Sequence, residues 1–352
     1  MRAFACDRCG HWLAFDTFGC LRCGAAYRYL PAQGRLARVE HAASREWVEA
    51  GQHEGPLYRR CGNAITATCN WLVAPGVDSD LCVACRLNRT IPDLQVPHNV
   101  ARWRRIEDAK RRMIYGLLRL GLAFDGRHDD PQSGLAFDFL SDDHAPGSVT
   151  TGHLQGLVTL NVSEADDAVR EKVRTSMGEP YRTLVGHLRH EVGHYYWDRL
   201  IASSNRLDEF RACFGDDQED YGAALARHHQ QGPPADWATR HVSAYASAHA
   251  WEDWAETWAH YLHIVDAMET AYAYGLAPQS REPGADRAAA LDFDPYIEDR
   301  FDEVLQALTP LAFAVNSLNR SLGQPDLYPF SLSPPVHHKL LFVDDVIRTH
   351  RF

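Results

Sequence analysis

His187-Leu-Arg-His190-Glu191-Val-Gly-His194-Tyr-Tyr-Trp-Asp-Arg-Leu200 contains the pattern His-Glu-x-x-His. On a helix, residues four apart share a face, so His190 and His194 can grip one zinc ion between them. Glu191 stands next to the first imidazole, where it can reach water held by such a zinc and take its proton during attack on a carbonyl. Pro180 is suited to the first turn of this helix, which is expected to run to about Ile201.

A zinc that does chemistry needs a third protein ligand and one open position. The candidate ligand lies downstream, in Ala250-Trp-Glu252-Asp-Trp-Ala-Glu256-Thr-Trp-Ala-His260-Tyr-Leu-His263. Glu252, Glu256, His260 and His263 fall on one helical face, flanked by Trp251, Trp254, Trp258 and Leu262. Acids buried beside such apolar neighbours require a partner, and a metal is the natural one. We assign Glu252 to the zinc. Glu256, one turn on, then accepts a hydrogen bond from the free N–H of a ligating histidine and fixes its tautomer. The reverse assignment of the two acids, or His260 as third ligand, are the alternatives. His187, one turn before His190, is read as a packing residue in preference to a group lining the cleft or supporting the ligands.

Cysteine placement is the second sharp signal. Eight of nine cysteines precede residue 86, and the ninth is Cys213. Cys6-x2-Cys9 and Cys20-x2-Cys23, ten residues apart, form two knuckles that together complete a tetrahedron around zinc. Gly10 and Gly24 follow the knuckles where a positive φ is needed. Cys61, Cys69, Cys82 and Cys85 are a second, less regular set. His41 and His53 lie nearby and are read as exposed. Cys213 is read as an inert buried thiol. Clustered cysteines in a reducing compartment point to metal rather than disulfides. The expectation is a zinc-ribbon domain over residues 1–95 with two four-cysteine sites, followed by a second domain over residues 96–352.

The 352 residues carry a formal charge of −11, unevenly spread. Residues 1–123 hold 18 basic against 11 acidic residues, a formal +7, which leaves −18 for the rest. Two tetrathiolate zinc sites, each about −2, reduce that +7 to roughly +3. That weak surplus weighs against a nucleic-acid partner and favours a protein-binding or structural ribbon. No apolar run is long enough to span a membrane, and the start does not read as a secretory signal, so a cytoplasmic protein is expected.

Along the chain, residues 24–60 read as strand-like pieces with a short helical pattern around Ser44 to Ala50. Residues 90–99 read as a linker. Trp103, Ile106, Met113, Leu117 and Leu120 recur at helical spacing and predict a helix from about Val100 to Leu122, with Arg104, Arg105, Arg111 and Arg112 on a solvated face. Strands are expected near Leu135 to Leu140 and from His153 to Val162. Residues 203–235 read as polar and loop-rich. Further helices are expected from Trp251 past Met268, from Tyr296 to Leu322, and from Pro335 to Thr349.

His190-Glu-x-x-His194 with Glu252-x-x-x-Glu256 downstream resembles the gluzincin class of zinc metallopeptidases. More closely, the chain resembles a bacterial family of zinc-binding metallopeptidases with an N-terminal zinc-ribbon domain. The resemblance rests on the cysteine set with Cys69-Asn-Trp71 and Leu81-Cys-x-x-Cys-Arg-Leu-Asn-Arg-Thr-Ile-Pro92, on Thr151-Gly-His153, on Glu179 to Leu200, and on Glu252-Asp-Trp-Ala-Glu256. It implies an α+β fold with a zincin-like, mostly helical metallopeptidase domain and a small sheet, preceded by the ribbon. It implies one catalytic and one or two structural zinc ions, and a peptide or protein substrate. In the zincin arrangement the edge strand of the sheet pairs with an extended substrate, and His153 to Val162 is the candidate here. Gluzincins similar to the lethal-factor type place an oxyanion-stabilising tyrosine seven residues before the ligand glutamate, which implies Tyr245. His241 and His249 are the alternatives for that role.

Two functions from different classes therefore compete. One is a peptidase using Glu191 as general base. The other is a non-catalytic zinc-ribbon protein that recruits a protein or nucleic-acid partner. A protease acting on nucleic-acid-bound proteins, as in SprT-like proteins, fits less well because the domain order and the glutamate ligand differ.

Overall fold

The computed structural model describes all residues except 44–45, 53, 143–148, 178, 180, 280–289, 331 and 352. The chain forms two compact units, Met1–Val169 and Arg170–Phe352. The fold mixes helix and sheet. No helix among the described residues is long and apolar enough to cross a membrane.

The first unit begins with β1 (Phe4–Ala5) and β2 (Trp12–Leu13), an antiparallel pair that flanks the first cysteine knuckle. Gly10 and Gly24 adopt φ of 72° and 73°, as the knuckles require. An antiparallel sheet follows in chain order: β3 (Tyr27–Leu30), β4 (Arg35–Ala43), β5 (Glu46–Glu49), β6 (Tyr58–Arg60) and β7 (Leu72–Val73). One face buries Leu30, Ala37, Val39, Trp47, Tyr58 and Leu72. The helical pattern expected around Ser44 to Ala50 is instead strand β5. Pairing with β4 and β6, and an Arg35–Glu49 ion pair at 2.6 Å, outweigh local helical spacing. Ser44 itself lies outside the described residues, as does His53. The His41 ring lies tilted against Trp47, with centroids 4.0 Å apart.

β8 (Asn88–Thr90), α1 (Pro97–Leu120) and β9 (Ala136–Leu140) form a strand–helix–strand crossover, so β8 and β9 are parallel. Residues 90–99 thus hold a strand end and a helix start as well as a connection. The expected strand from His153 to Val162 is a hairpin, β10 (Gly152–Leu154) and β11 (Leu157–Asn161), turned at Gln155 and Gly156 with φ of 46° and 81°. The sheet order β10-β11-β9-β8 leaves β10 as an edge strand. Phe15, Tyr29, Trp71 and Tyr115 of α1 meet in an aromatic cluster with centroid spacings from 4.9 to 6.2 Å.

α1 corrects one reading. Arg105 is exposed, but Arg111 is buried and donates to the Ala67 carbonyl and to Asp108. Beside it, Lys110 bonds Glu107 at 2.7 Å, and both are wholly buried. Glu107 Oε2 lies 3.7 Å from the Cys85 sulfur. Burial works against the Arg111 charge, but Cys69, Asp108 and Glu107 beside it outweigh that and raise its pKa. This part of the helix is an electrostatic lining for the second cysteine cluster, not a solvated face.

α2 (Asp167–Met177) spans the division between the units. The second unit is helical: α3 (Leu184–Leu200), α4 (Leu207–Phe214), α5 (Tyr221–Gln231), α6 (Ala250–Tyr274), α7 (Phe301–Ser321) and α8 (Pro334–Thr349). Thr183 caps α3, its hydroxyl accepting from the Gly186 N–H at 3.1 Å. Pro180, expected in the first turn, lies outside the described residues. Residues 203–235, expected to be loop-rich, contain α4 and α5. Phe210 and Phe214 bury one face of α4, and Asp220 caps α5.

α3 and α6 pack closely. A Cβ at Gly193 would lie 3.1 Å from the Ala255 Cα and 3.2 Å from Trp258. Trp254 Nε1 donates to the Gly193 carbonyl at 2.9 Å, and Tyr196 stacks on Trp258 at 4.8 Å. Gly193→Val is expected to cost about 1–3 kcal/mol through overpacking. At about 2–4 °C per kcal/mol, thermal denaturation of the metal-free protein should show the loss.

Candidate metal centre

α3 presents His190 and His194, and the first turn of α6 presents Glu252; all three are buried. Their ligand atoms lie within 4.8 Å of one another. Glu252 Oε2 is 3.0 Å from His190 Nε2 and 3.6 Å from His194 Nε2. That oxygen is buried and makes no hydrogen bond. Two imidazole nitrogens and a carboxylate oxygen converging in this way are the donor set of a three-ligand zinc site, so the residues present fit the metal. Burial opposes ionisation of Glu252, but the two imidazoles hold its carboxyl well below the usual carboxylate range.

Each donor is held from behind. His190 Nδ1 bonds Glu256 Oε1 at 2.7 Å, and Ser243 Oγ donates to Glu256 Oε2 at 2.5 Å. Burial raises the Glu256 carboxyl, but the His190 contact outweighs it and brings it to about 2. The His194 ring lies against Trp251 at 3.9 Å. Tyr221 donates to Glu252 Oε1 at 2.5 Å. Glu191 sits outside the donor triangle, buried, with Oε1 3.2 Å from His187 Nε2. Burial raises its carboxyl and His187 lowers it, with a net shift downward, so it is ionised. His187, read from sequence as a packing residue, therefore faces Glu191.

The Tyr245 ring lies 6.0 Å from the His190 ring, centroid to centroid. The alternatives weighed for its role are engaged elsewhere. His241 Nδ1 lies 3.2 Å from Asp253 Oδ2, and His249 Nδ1 caps α6 by accepting from the Trp251 N–H at 3.0 Å. His260 is likewise turned away from the donors. Its Nδ1 is 3.0 Å from the Tyr328 hydroxyl, its ring lies against Phe330, and burial drives its pKa down to about 4. Sequence reading missed Tyr221 and Ser243. Neither sits in a motif, and Tyr221 falls in the stretch read as loop.

The cysteines gather into two further donor groups, Cys6 with Cys9, Cys20 and Cys23, and Cys61 with Cys69, Cys82 and Cys85. Cys6 and Cys23 sulfurs are 3.5 Å apart, as are Cys9 and Cys20; Cys69 and Cys82 are 3.7 Å apart. All are free thiols. Cys213 stands apart, its pKa raised to about 11 by burial.

Residues 99–346 match the family described as "Putative zinc-binding metallo-peptidase", and residues 3–96 match a zinc-ribbon domain. The chain belongs to this metallopeptidase family. Its relatives include a protein of Mycobacterium bovis and proteins of two strains of Mycobacterium tuberculosis, each bearing the description "Uncharacterized protein". Each is 44% identical over 348 residues, which is 99% of this chain and 95% of the relative. No solved structure matches significantly. The family, the two four-cysteine groups and the His–Glu group together make this a zinc-binding protein with an N-terminal ribbon.

Removing the anchor behind His190 should loosen its ring. Glu256→Ala is expected to weaken zinc binding at the His–Glu group about ten- to a hundredfold, measured by competition with a chromophoric chelator, while the cysteine-bound zinc is unaffected.

Proposed function

We propose that the protein is a zinc-dependent peptidase with a zincin-like catalytic domain over residues 96–352 behind a ribbon domain over residues 1–95. The observation that carries this reading is Glu191. A purely structural zinc held by His190, His194 and Glu252 has no use for a further buried, ionised carboxylate beside the first ligand. Such a carboxylate is what a hydrolase needs as a general base.

Zinc, when bound by these three residues, supplies a Lewis acid that acidifies water and polarises a substrate carbonyl. Glu191 accepts the proton of the attacking water and can return it to the leaving amine. His187 Nε2, beside Glu191 Oε1, orients that carboxylate. Glu256, backed by Ser243, keeps the His190 Nδ1 proton directed away from the donor side of the ring. Tyr245, whose ring lies 6.0 Å from the His190 ring, is assigned to donate a hydrogen bond to the carbonyl oxygen as it gains charge.

The cysteine groups are assigned as two structural zinc sites, which makes three zinc ions per chain. The exposed side chains of Trp12 and Leu21 on the first knuckle pair favour a protein partner for the ribbon over nucleic acid.

Glu191→Gln is expected to keep its zinc and lose peptide cleavage by about 10²–10⁴-fold. Unchanged turnover in that variant would remove the mechanism. Elemental analysis should find about three zinc per chain, falling by one in Glu252→Ala. A full zinc complement in Glu252→Ala would reject the ligand assignment.

A further inference from the structure

Glu252 offers two oxygens, yet only Oε2 faces the imidazoles. We infer that Tyr221 is a positioning residue that holds Glu252 by Oε1, so that Oε2 alone is presented to the metal. The inference rests on the reading of His190, His194 and Glu252 as a zinc site.

Tyr221 is well placed for this. It opens α5, and Asp220 caps that helix by accepting from the Ala223 N–H at 2.8 Å. The Tyr221 ring packs edge-on against His249 at 5.3 Å and Trp251 at 5.6 Å. Both neighbours stand at the start of α6, and Trp251 in turn lies on the His194 ring. The ring is therefore held against the start of the helix that carries Glu252, on His249 and on the side chain that packs on a second ligand. From there its hydroxyl donates to Glu252 Oε1 at 2.5 Å.

A carboxylate end rotates easily, because its terminal torsion is broad and two-fold. A hydrogen bond to the ionised oxygen is among the stronger ones available to a neutral donor. It removes the rotation and leaves Oε2, which makes no hydrogen bond of its own, 3.0 and 3.6 Å from the two Nε2 atoms. Burial and the Glu252 carboxylate both push the Tyr221 phenol pKa up, so it remains a donor. His190 has the same kind of support in Glu256, so each of these two ligands has its own anchor.

The test is Tyr221→Phe in the full chain, which keeps the ring packing and removes only the hydroxyl. Zinc alone is the probe, titrated against a chromophoric chelator, so no substrate is needed. The zinc dissociation constant of the His–Glu group is expected to rise about ten- to a hundredfold. The cysteine-bound zinc and the thermal unfolding of the metal-free protein should stay as in the wild type. A constant within about twofold of wild type would overturn the inference, as would a loss of metal-free stability with no loss of zinc affinity, since that marks a merely structural role. Failure of the peptidase reading looks different: wild type and Tyr221→Phe would then differ in zinc affinity while neither cleaves peptide. If Glu252→Ala loses no zinc, the site reading and this inference fail together.

Discussion

The close approach of α3 and α6 is the constraint on which the centre depends. Gly193 lies between His190 and His194, and the Ala255–Trp258 surface of α6 meets it with no room for a side chain. A side chain there would meet the Ala255 Cα at 3.1 Å and Trp258 at 3.2 Å, so the two helices would have to give way at the point where the ligands converge. The Trp254 N–H on the Gly193 carbonyl and the Tyr196–Trp258 stack fix the rotation of one helix against the other. Backbone proximity thus does what flexible side chains cannot: it brings residues more than fifty positions apart into one donor set held by rigid elements.

The same helices carry acids into an apolar core, and each is compensated differently. Asp253 meets the Lys339 ammonium at 2.5 Å, a fixed cation. Glu256 is shared between His190 and Ser243. The groups facing Glu252 are two imidazoles and a phenol. Imidazoles neutralise a carboxylate only when protonated, and a protonated imidazole cannot ligate. A divalent cation resolves that conflict, since it satisfies the carboxylate and leaves both rings neutral.

Much of this was legible in sequence because the signals are local. His190, Glu191 and His194 lie within one helical turn and a half, and Glu252 and Glu256 are one turn apart, so periodicity alone places them on faces. The cysteine knuckles are equally local. What was not legible depends on tertiary contact. Strand β5 exists because β4 and β6 pair with it, although its spacing suits a helix. The segment 203–235 is polar in composition, yet Phe210 and Phe214 bury one side of α4, and α5 brings Tyr221 to Glu252. His187 looked like packing because its partner, Glu191, was already assigned to another task. Arg111 looked solvated because its countercharges, Cys69 and Asp108 with Glu107, come partly from another part of the chain.

Arg111 also bears on how the ribbon and α1 cooperate. The second cysteine group is fully buried, whereas Cys9 and Cys23 of the first are half-buried. Four thiolates around a divalent zinc leave two negative charges, and in a buried setting these need cations nearby. α1 supplies Arg111 and Lys110, and Tyr115 of the same helix enters the aromatic cluster with Phe15, Tyr29 and Trp71. The match to the metallopeptidase family starts at residue 99, so α1 belongs almost wholly to that stretch by descent. By charge its middle turns also serve the ribbon, while Arg102 and Arg105 hold Asp166 and the Ala165 carbonyl. A metal held by Cys61, Cys69, Cys82 and Cys85 would leave thiolate charge that adds to the countercharge Glu107 and Asp108 already give Lys110 and Arg111.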